Sequence, residues 1–464
     1  MATHAAPTFD APDLAAPEPT GAELIAARPF LSMHAMDGLL VDDVPLNRVA
    51  DEFGTPTWVY SAATMRARYR ALTSALGAAR LDAHVHYAMK ANDHLAILRL
   101  FAREGAGVDV VSGGELLRAR AAGIAGDQVV FSGVGKSPHE LRLALSEDIA
   151  QINVESAEEL AMLSAVAVEM GRTARVALRV NPDVDAGTHA KISTGRAQDK
   201  FGIPYAEAAA LYAHAATLTG IRPIGLAVHI GSQILSLAPY RAAYARIAEL
   251  VRALRAGGLT VETVDCGGGL GIPYRDEPAP SSTALAGAIA GALHNLGLHL
   301  TVEPGRWLVG PAGVLLASVI LVKQTGIPVK QSGIVVNRPS GSRFIVLDAA
   351  MNDLVRPAMY DAWHGIVPVS AVEAAGAVSP AEIVGPVCES GDTFARGRML
   401  PAVAANSRVA ILDAGAYGSV MSSTYNARPL AAEVMIDGGD IALIRARQPV
   451  EALWAGESIP KSLR

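Results

Sequence analysis

The chain has 464 residues, 51% of them hydrophobic, and a formal net charge of −6 with acids and bases interleaved. That length allows two large domains with well-packed cores, and the mixed charge speaks against nucleic acid or an anionic membrane as the main partner. Two cysteines, Cys266 and Cys388, are too few for a disulfide framework and point to a reducing cytoplasm, and no apolar run is long enough to span a bilayer.

Residues 1–30 are rich in Ala and Pro and lack a basic start followed by an apolar stretch, so they do not read as a signal peptide. They are expected to form a disordered or loosely docked extension. Next, Gly38–Trp58 holds a strand-like start and a short helix, Pro45–Phe53. Residues 31–56 are expected to join a C-terminal β domain across an inserted domain.

From Thr57 to Arg306 one pattern recurs: a short apolar, β-branched segment ending in a polar or glycine residue, then a helical stretch. The strand candidates are His84–Met89, Val108–Val111, Val129–Ser132, Gln151–Val154, Ala174–Val180, Ile224–Ile230, Thr260–Asp265 and His299–Val302. Between them, Gly114–Ala122, Ala157–Met170 and Tyr240–Ala256 show helical spacing of Ala and Leu. Eight such units suggest a TIM-like (β/α)8 barrel over residues 57–310, with an open doubly wound sheet as the alternative. Lys90, Ser112, Asn153, Asn181, His229, Gly267 and Glu303 all lie at or just past a strand's C-terminal end. A barrel brings those ends to one mouth, whereas an open sheet spreads them along an edge. After Gly310 the helices fade. Val314–Val322, Arg343–Leu347, Glu382–Val384, Arg408–Leu412, Ala432–Ile436 and Ile441–Arg445 read as strands of an all-β sandwich or β-barrel domain over 311–464. The fold class is therefore α/β plus all-β.

Several strand-end residues carry chemical promise. Lys90 can project into the barrel mouth, where desolvation lowers an amine's pKa and frees it for Schiff-base formation; the plain alternative is a surface lysine. Gly267, Gly268 and Gly269 follow the seventh strand candidate, and their unhindered N–H groups can form an anion site or merely a tight turn. His229-Ile230-Gly231-Ser232-Gln233 offers a hydroxyl for phosphate and an imidazole that can stack on a flat ring. Glu303 can pair with a pyridinium nitrogen, and Arg306, just past Gly305, can bind a carboxylate or phosphate bidentately. Asp109 and Arg179 are read as ending neighbouring strands and pairing behind the ring. Arg356 and Tyr360 are four apart, which suits a carboxylate clamp on one face of a helical turn. Each of these also has a purely structural reading. Cys388, beside Glu389, is by itself more in keeping with an inert packed thiol.

Taken together, YAMKAN, VDVVSGGEL, HIGSQI, GGGLGIPY, EPGR, MNDLVRPAMY, CESGD and DAGAYG resemble the fold-type III, alanine-racemase-like decarboxylases that use pyridoxal phosphate, and within them the diaminopimelate decarboxylase branch. The resemblance runs from about Gly38 to Ala446. It implies that Lys90 carries the cofactor, that Glu303 holds the pyridinium nitrogen and that His229 stacks on the ring. It also implies that Ser232, Gly268, Gly269, Gly305, Arg306 and Tyr417 surround phosphate and cofactor, with Asp109 and Arg179 in support. Arg306, Arg356 and Tyr360 are then expected to grip the far end of the substrate, with Tyr417 alongside. Cys388 and Glu389 are expected to enter from the partner of a homodimer with shared active sites. The implied reaction converts meso-2,6-diaminopimelate to L-lysine and carbon dioxide, without a metal. Two arginines suit a distal carboxylate better than a distal ammonium, and Glu389 suits the second amine. The alternatives are an ornithine- or arginine-type decarboxylase or a racemase of the same fold, and a non-catalytic, cofactor-binding regulatory homologue.

Overall fold

The computed structural model describes residues 18–186, 195, 200–325, 330–331, 334–335 and 342–464. Eight parallel strands close into a barrel: Ala83–Ala88, Gly107–Val110, Val129–Phe131, Gln151–Val154, Ala174–Asn181, Ile221–Ala227, Thr263–Asp265 and His299–Val302. Closure is direct, since the eighth strand pairs with the first, Leu300 opposite Ala83 and Val302 opposite Val85.

The chain turns from strand to helix where a serine follows the strand. Ser112 Oγ accepts from the Glu115 N–H at 3.1 Å, and Ser156 Oγ accepts from the Glu159 N–H at 3.1 Å. Ser137 and Glu140 form a reciprocal capping box. Each cap satisfies an N–H that the first helical turn leaves without a partner. The helices therefore start within a few residues of the strand ends, and polar strand-end side chains stay at the mouth.

The second unit is built on one long strand, Gly313–Gln324. It pairs with Thr57–Ser61, Arg343–Leu347 and Arg408–Ile411. The sheet continues outward through Val378–Val384 and Thr393–Pro401 on one side, and through Ala432–Asp437 and Asp440–Arg445 on the other. Residue 57 is the expected start of the barrel domain, and Thr57–Ser61 is not among its strand candidates. It instead lies in this second sheet, between Gly313–Gln324 and Ala432–Asp437, with all five residues buried. Its TWVYS sequence has the unbroken apolar character of a strand covered on both faces. Trp58 and Tyr60 pack toward the barrel core, while Val59 joins a cluster with Leu39, Val314 and Val434.

Two further expectations change. The sixth strand runs Ile221–Ala227, ending three residues before Ile230. His229 therefore sits in a loop past the sheet. Residues 18–30, expected to be loose, are ordered: Gly21–Ala26 is a helix capped by Thr20, and Leu24 and Phe30 are buried. Arg28 anchors this arm by a buried ion pair with Asp413 and by donating to the carbonyls of Leu24 and Tyr274. Residues 1–17 lie outside the described residues. Among the described residues no helix is long and apolar enough to cross a membrane.

Candidate active site

Lys90 stands in the one-turn 3-10 helix Met89–Ala91 directly after the first barrel strand. Its Nζ is 2.7 Å from Asp109 Oδ2, at the end of the second strand. Burial works to lower the lysine's pKa, but Asp109, with Glu303 and Tyr417, outweighs it, and the net displacement is upward. The expected downward shift is therefore reversed, because the surrounding field is negative. The expected Asp109–Arg179 pair is also absent. Arg179 lies on the fifth strand, three away from Asp109, and its Nη1 is 2.7 Å from Glu155 Oε1. Asp109 Oδ1 is buried with no hydrogen-bond partner among the described residues.

Glu303 directly follows the eighth strand and is 6% exposed. Burial, then Asp109 and Asp265, push its carboxyl well above the usual range, partly offset by Lys90. Asp265, at the end of the seventh strand, is raised by burial in the same way. It is held by Asn153 Nδ2 at 2.9 Å and by the Gly267 N–H at 2.9 Å. Asn153 also donates to Ser132 Oγ at 3.0 Å. Three carboxyl groups thus meet in the mouth beside one lysine. A like-charged cluster in a poor dielectric keeps protons or recruits a cation.

The loops after the sixth and seventh strands are joined. The Ile234 N–H donates to the Gly269 carbonyl at 2.9 Å, and the Gly268 N–H donates to His229 Nδ1 at 3.1 Å. That bond makes Nδ1 the acceptor and leaves the proton of the neutral ring on Nε2. Burial, with Arg179 and Lys90, holds the His229 pKa well below its usual value, so the ring is neutral near pH 7. Gly269 has φ +94°, and a Cβ there would stand 2.2 Å from the Gly231 carbonyl oxygen. One on Gly268 would stand 1.9 Å from the Glu303 carbonyl oxygen. Only bare backbone fits where this loop meets the eighth strand.

Arg306 follows Gly305 and is 6% exposed. Its Nη2 donates to Ser232 Oγ at 3.1 Å, and its Nη1 to Tyr274 Oη at 2.6 Å. Arg356 Nη1 donates to the same Tyr274 Oη, also at 2.6 Å. The Arg306 guanidinium lies 4.8 Å from the centre of the Tyr417 ring. Tyr417 is tied to the lysine turn, its backbone N–H donating to the Ala91 carbonyl at 2.7 Å. Tyr360, at the end of the short helix Arg356–Tyr360, lies close enough for its field to reach Arg306. Tyr274 was not singled out in the sequence, although GGGLGIPY ends on it. Gln233 turns away from the arginines and clips the loop instead, its Nε2 donating to the Ile272 carbonyl at 2.6 Å.

Lys90, Asp109, His229, Ser232, Gly268, Gly269, Glu303, Gly305, Arg306, Arg356, Tyr360 and Tyr417 thus converge on one mouth. Arg179 contributes its field to His229 from behind. Cys388 and Glu389 stand apart on an exposed turn of the β unit, where the Cys388 N–H donates to Asn426 Oδ1 at 2.8 Å. Among the described residues no group of three or more His, Cys, Asp or Glu side chains is arranged so as to hold a metal ion.

Residues 62–310 match the family described as pyridoxal-dependent decarboxylase, pyridoxal binding domain. The chain is 48% identical over 422 residues to the diaminopimelate decarboxylase of Zymomonas mobilis, covering 90% of this chain and 96% of that one. The chain belongs to the diaminopimelate decarboxylase family. The Pseudomonas aeruginosa family member is 47% identical over 421 residues, covering 91% and 97% of the two chains. Among solved structures, the M. jannaschii diaminopimelate decarboxylase in complex with L-lysine superposes with a TM-score of 0.86 at 34% identity, covering 94% of this chain and 99% of that one. The Helicobacter pylori enzyme, also with L-lysine, gives 0.82 at 36% identity, covering 88% and 98%.

The residues present fit the family's cofactor. A primary amine, a buried carboxyl without a full counter-charge, a neutral imidazole and a glycine loop too tight for any side chain face one space.

Proposed function

We propose that the chain decarboxylates meso-2,6-diaminopimelate to L-lysine and carbon dioxide with pyridoxal phosphate, as a cytoplasmic homodimer with shared active sites. The observation that carries the substrate reading is the pair of buried arginines, Arg306 and Arg356, converging on Tyr274 Oη at 2.6 Å each. Two guanidinium groups so placed attract a distal carboxylate and repel the distal ammonium of a simple diamine.

In this reading Lys90 would anchor the cofactor and Glu303 would hold its ring nitrogen. A cation arriving there supplies the counter-charge that the acidic cluster lacks. Bound pyridoxal phosphate supplies an electron sink for the bond pair left when carbon dioxide departs. His229, fixed by the Gly268 N–H, would help to hold the cofactor ring. Ser232, the Gly268–Gly269 backbone and Tyr417 would hold the phosphate. Arg306, Arg356 and Tyr360 hold the far carboxylate, which sets the angle of the scissile one. Glu389 and Cys388 enter from the partner subunit, the first toward the distal amine. Cys388 and Lys90 are the two candidates for returning a proton to the α-carbon.

The test is carbon dioxide release by the cofactor-loaded enzyme offered meso-diaminopimelate, ornithine, arginine and lysine separately, with Lys90→Ala as control. Activity on meso-diaminopimelate alone, lost in the variant, supports the reading. Preference for ornithine or arginine overturns the arginine-clamp argument, and cofactor binding without turnover favours a regulatory role.

A further inference from the structure

Behind the arginine clamp lies a second cleft of about 550 Å³, outside the barrel mouth. That size falls within the range of ordinary small-molecule sites, roughly 300–1,000 Å³. Its walls come from the N-terminal arm, the helix Ala62–Ala78, the loop after the seventh strand and the turn that follows Arg306. Phe30, Pro273, Trp307 and Pro311 make much of that lining apolar.

Among the described residues one cation in this cleft has no ion pair of its own. Arg68 donates through Nε to the Trp307 carbonyl, and its guanidinium lies 4.0 Å from the centre of the Trp307 ring. Among the described residues, neither of its terminal nitrogens has a hydrogen-bond acceptor. The acids nearby are already engaged. Asp413 takes two bonds from Arg28, and Asp276 lies 3.5 Å from Arg275 Nε. Glu277 accepts from the N–H groups of Tyr274 and Arg275, both at 2.9 Å. Burial, only partly offset by Asp413, lowers Arg68 to about 10, so it remains a cation at neutral pH. A guanidinium edge left open in an apolar cleft matches a carboxylate on an apolar body.

We propose that this cleft is a second ligand site, which takes a small organic carboxylate with an apolar body and loosens the enzyme's grip on substrate. The coupling route is short. Trp307 adjoins Arg306, and Arg28 Nη2 donates to the Tyr274 carbonyl at 3.1 Å. The cleft is therefore walled by chain neighbours of two clamp residues, Trp307 beside Arg306 and Pro273 and Arg275 on either side of Tyr274. A carboxylate on the open Nη edge draws the Arg68 guanidinium toward itself and so strains the Nε bond to the Trp307 carbonyl, on the turn that carries Arg306. The ground-state hold on the distal carboxylate then weakens, while the groups around Lys90 stay in place. The signature is a higher KM at an unchanged kcat.

The experiment titrates 3-phenylpropionate calorimetrically into the full-length, cofactor-loaded enzyme. Saturating L-lysine is present, so that the clamp itself is not the site observed. Expected is binding at one site per chain, at least about tenfold weaker for the neutral 3-phenylpropanamide and for Arg68→Gln. Ala67→Phe fills the cleft from an exposed helix position. It is expected to abolish binding while leaving kcat and KM without ligand unchanged. In the kinetic arm, which rests on the proposed reaction, 3-phenylpropionate raises KM at least about threefold with kcat constant, and Ala67→Phe removes the effect. Absence of heat, equal binding of acid and amide, binding that persists in Ala67→Phe, or an unmoved KM overturns the proposal. The calorimetric arm needs no turnover, so failure of the reaction assignment and failure of the site are told apart.

Discussion

Arg306 and Arg356 donate to the same phenol oxygen, each Nη1 standing 2.6 Å from Tyr274 Oη. Two buried cations are thereby held side by side through one shared acceptor. A doubly charged recess of this kind is costly without an anion and well matched to one. Removal of the hydroxyl in Tyr274→Phe leaves both guanidinium groups short of a partner. Loss of a hydrogen bond to a charged group costs about 1.5–3 kcal/mol. KM for meso-diaminopimelate is expected to rise at least about tenfold, with a smaller fall in kcat, in steady-state assays.

Glu303 shares the mouth with Asp109 and Asp265, and its folded pKa is raised above the unfolded value. Such a carboxyl contributes stability that is full below the unfolded pKa and is lost as pH climbs through the folded one. Glu303→Gln keeps the shape and needs no proton. In the cofactor-free enzyme at pH 7.5 it is expected to raise Tm by about 2 °C or more, while carbon dioxide release falls at least about 100-fold. Scanning calorimetry beside the activity assay checks both, and a lower Tm contradicts the crowding argument.

Three buried histidines titrate in the opposite sense. Burial, the first cause in each case, drives His86 down to about 3 and holds His229 and His364 well below 6.5. Their folded pKa values are depressed, so the unfolded chain takes up protons that the folded one refuses. Stability therefore falls as pH drops below the unfolded value, by up to about 1.4 kcal/mol per pH unit for each ring. Denaturant titrations between pH 7.5 and 5.5 are expected to show this loss, and His86→Gln to show a shallower slope.

The glycine loop tolerates no side chain at the place where it meets Glu303. With its Cβ 1.9 Å from the Glu303 carbonyl oxygen, alanine at position 268 forces the seventh- and eighth-strand ends apart. Gly268→Ala is expected to weaken cofactor binding at least about tenfold, read as an absorbance titration with pyridoxal phosphate.

The shared-site proposal has its own test. Lys90→Ala and Cys388→Ala are each expected to be inactive. Mixed and allowed to exchange subunits, they are expected to regain about one quarter of wild-type activity, because half of the dimers are hybrids with one intact site of two. Recovery close to zero sinks the idea that Cys388 crosses the interface.

Much of this architecture is written locally and therefore legible. Gln151–Val154 and His299–Val302 have the same bounds as expected from their β-branched residues. The strand-end residues from Lys90 to Glu303 do share one mouth. What escaped depends on contacts made through space. Asp109 and Arg179 look like partners along the chain, yet three strand spacings part them, and each pairs elsewhere. Tyr274 is an unremarked residue at the end of a glycine motif until two distant arginines meet on its hydroxyl. Thr57–Ser61 carries no mark of which sheet it enters, because both domains offer parallel partners to an apolar strand.

That last strand sets a timetable. Thr57–Ser61 lies between Gly313–Gln324 and Ala432–Asp437, so both neighbours are made long after it. At a synthesis rate of roughly 5–20 residues per second, Trp58 and Tyr60 spend on the order of 10 to 50 seconds outside the exit tunnel before their first partner strand exists. The barrel's own eight strands are complete just before that partner emerges. The newborn chain thus carries all eight barrel strands while an apolar strand beside them still waits for both of its neighbours.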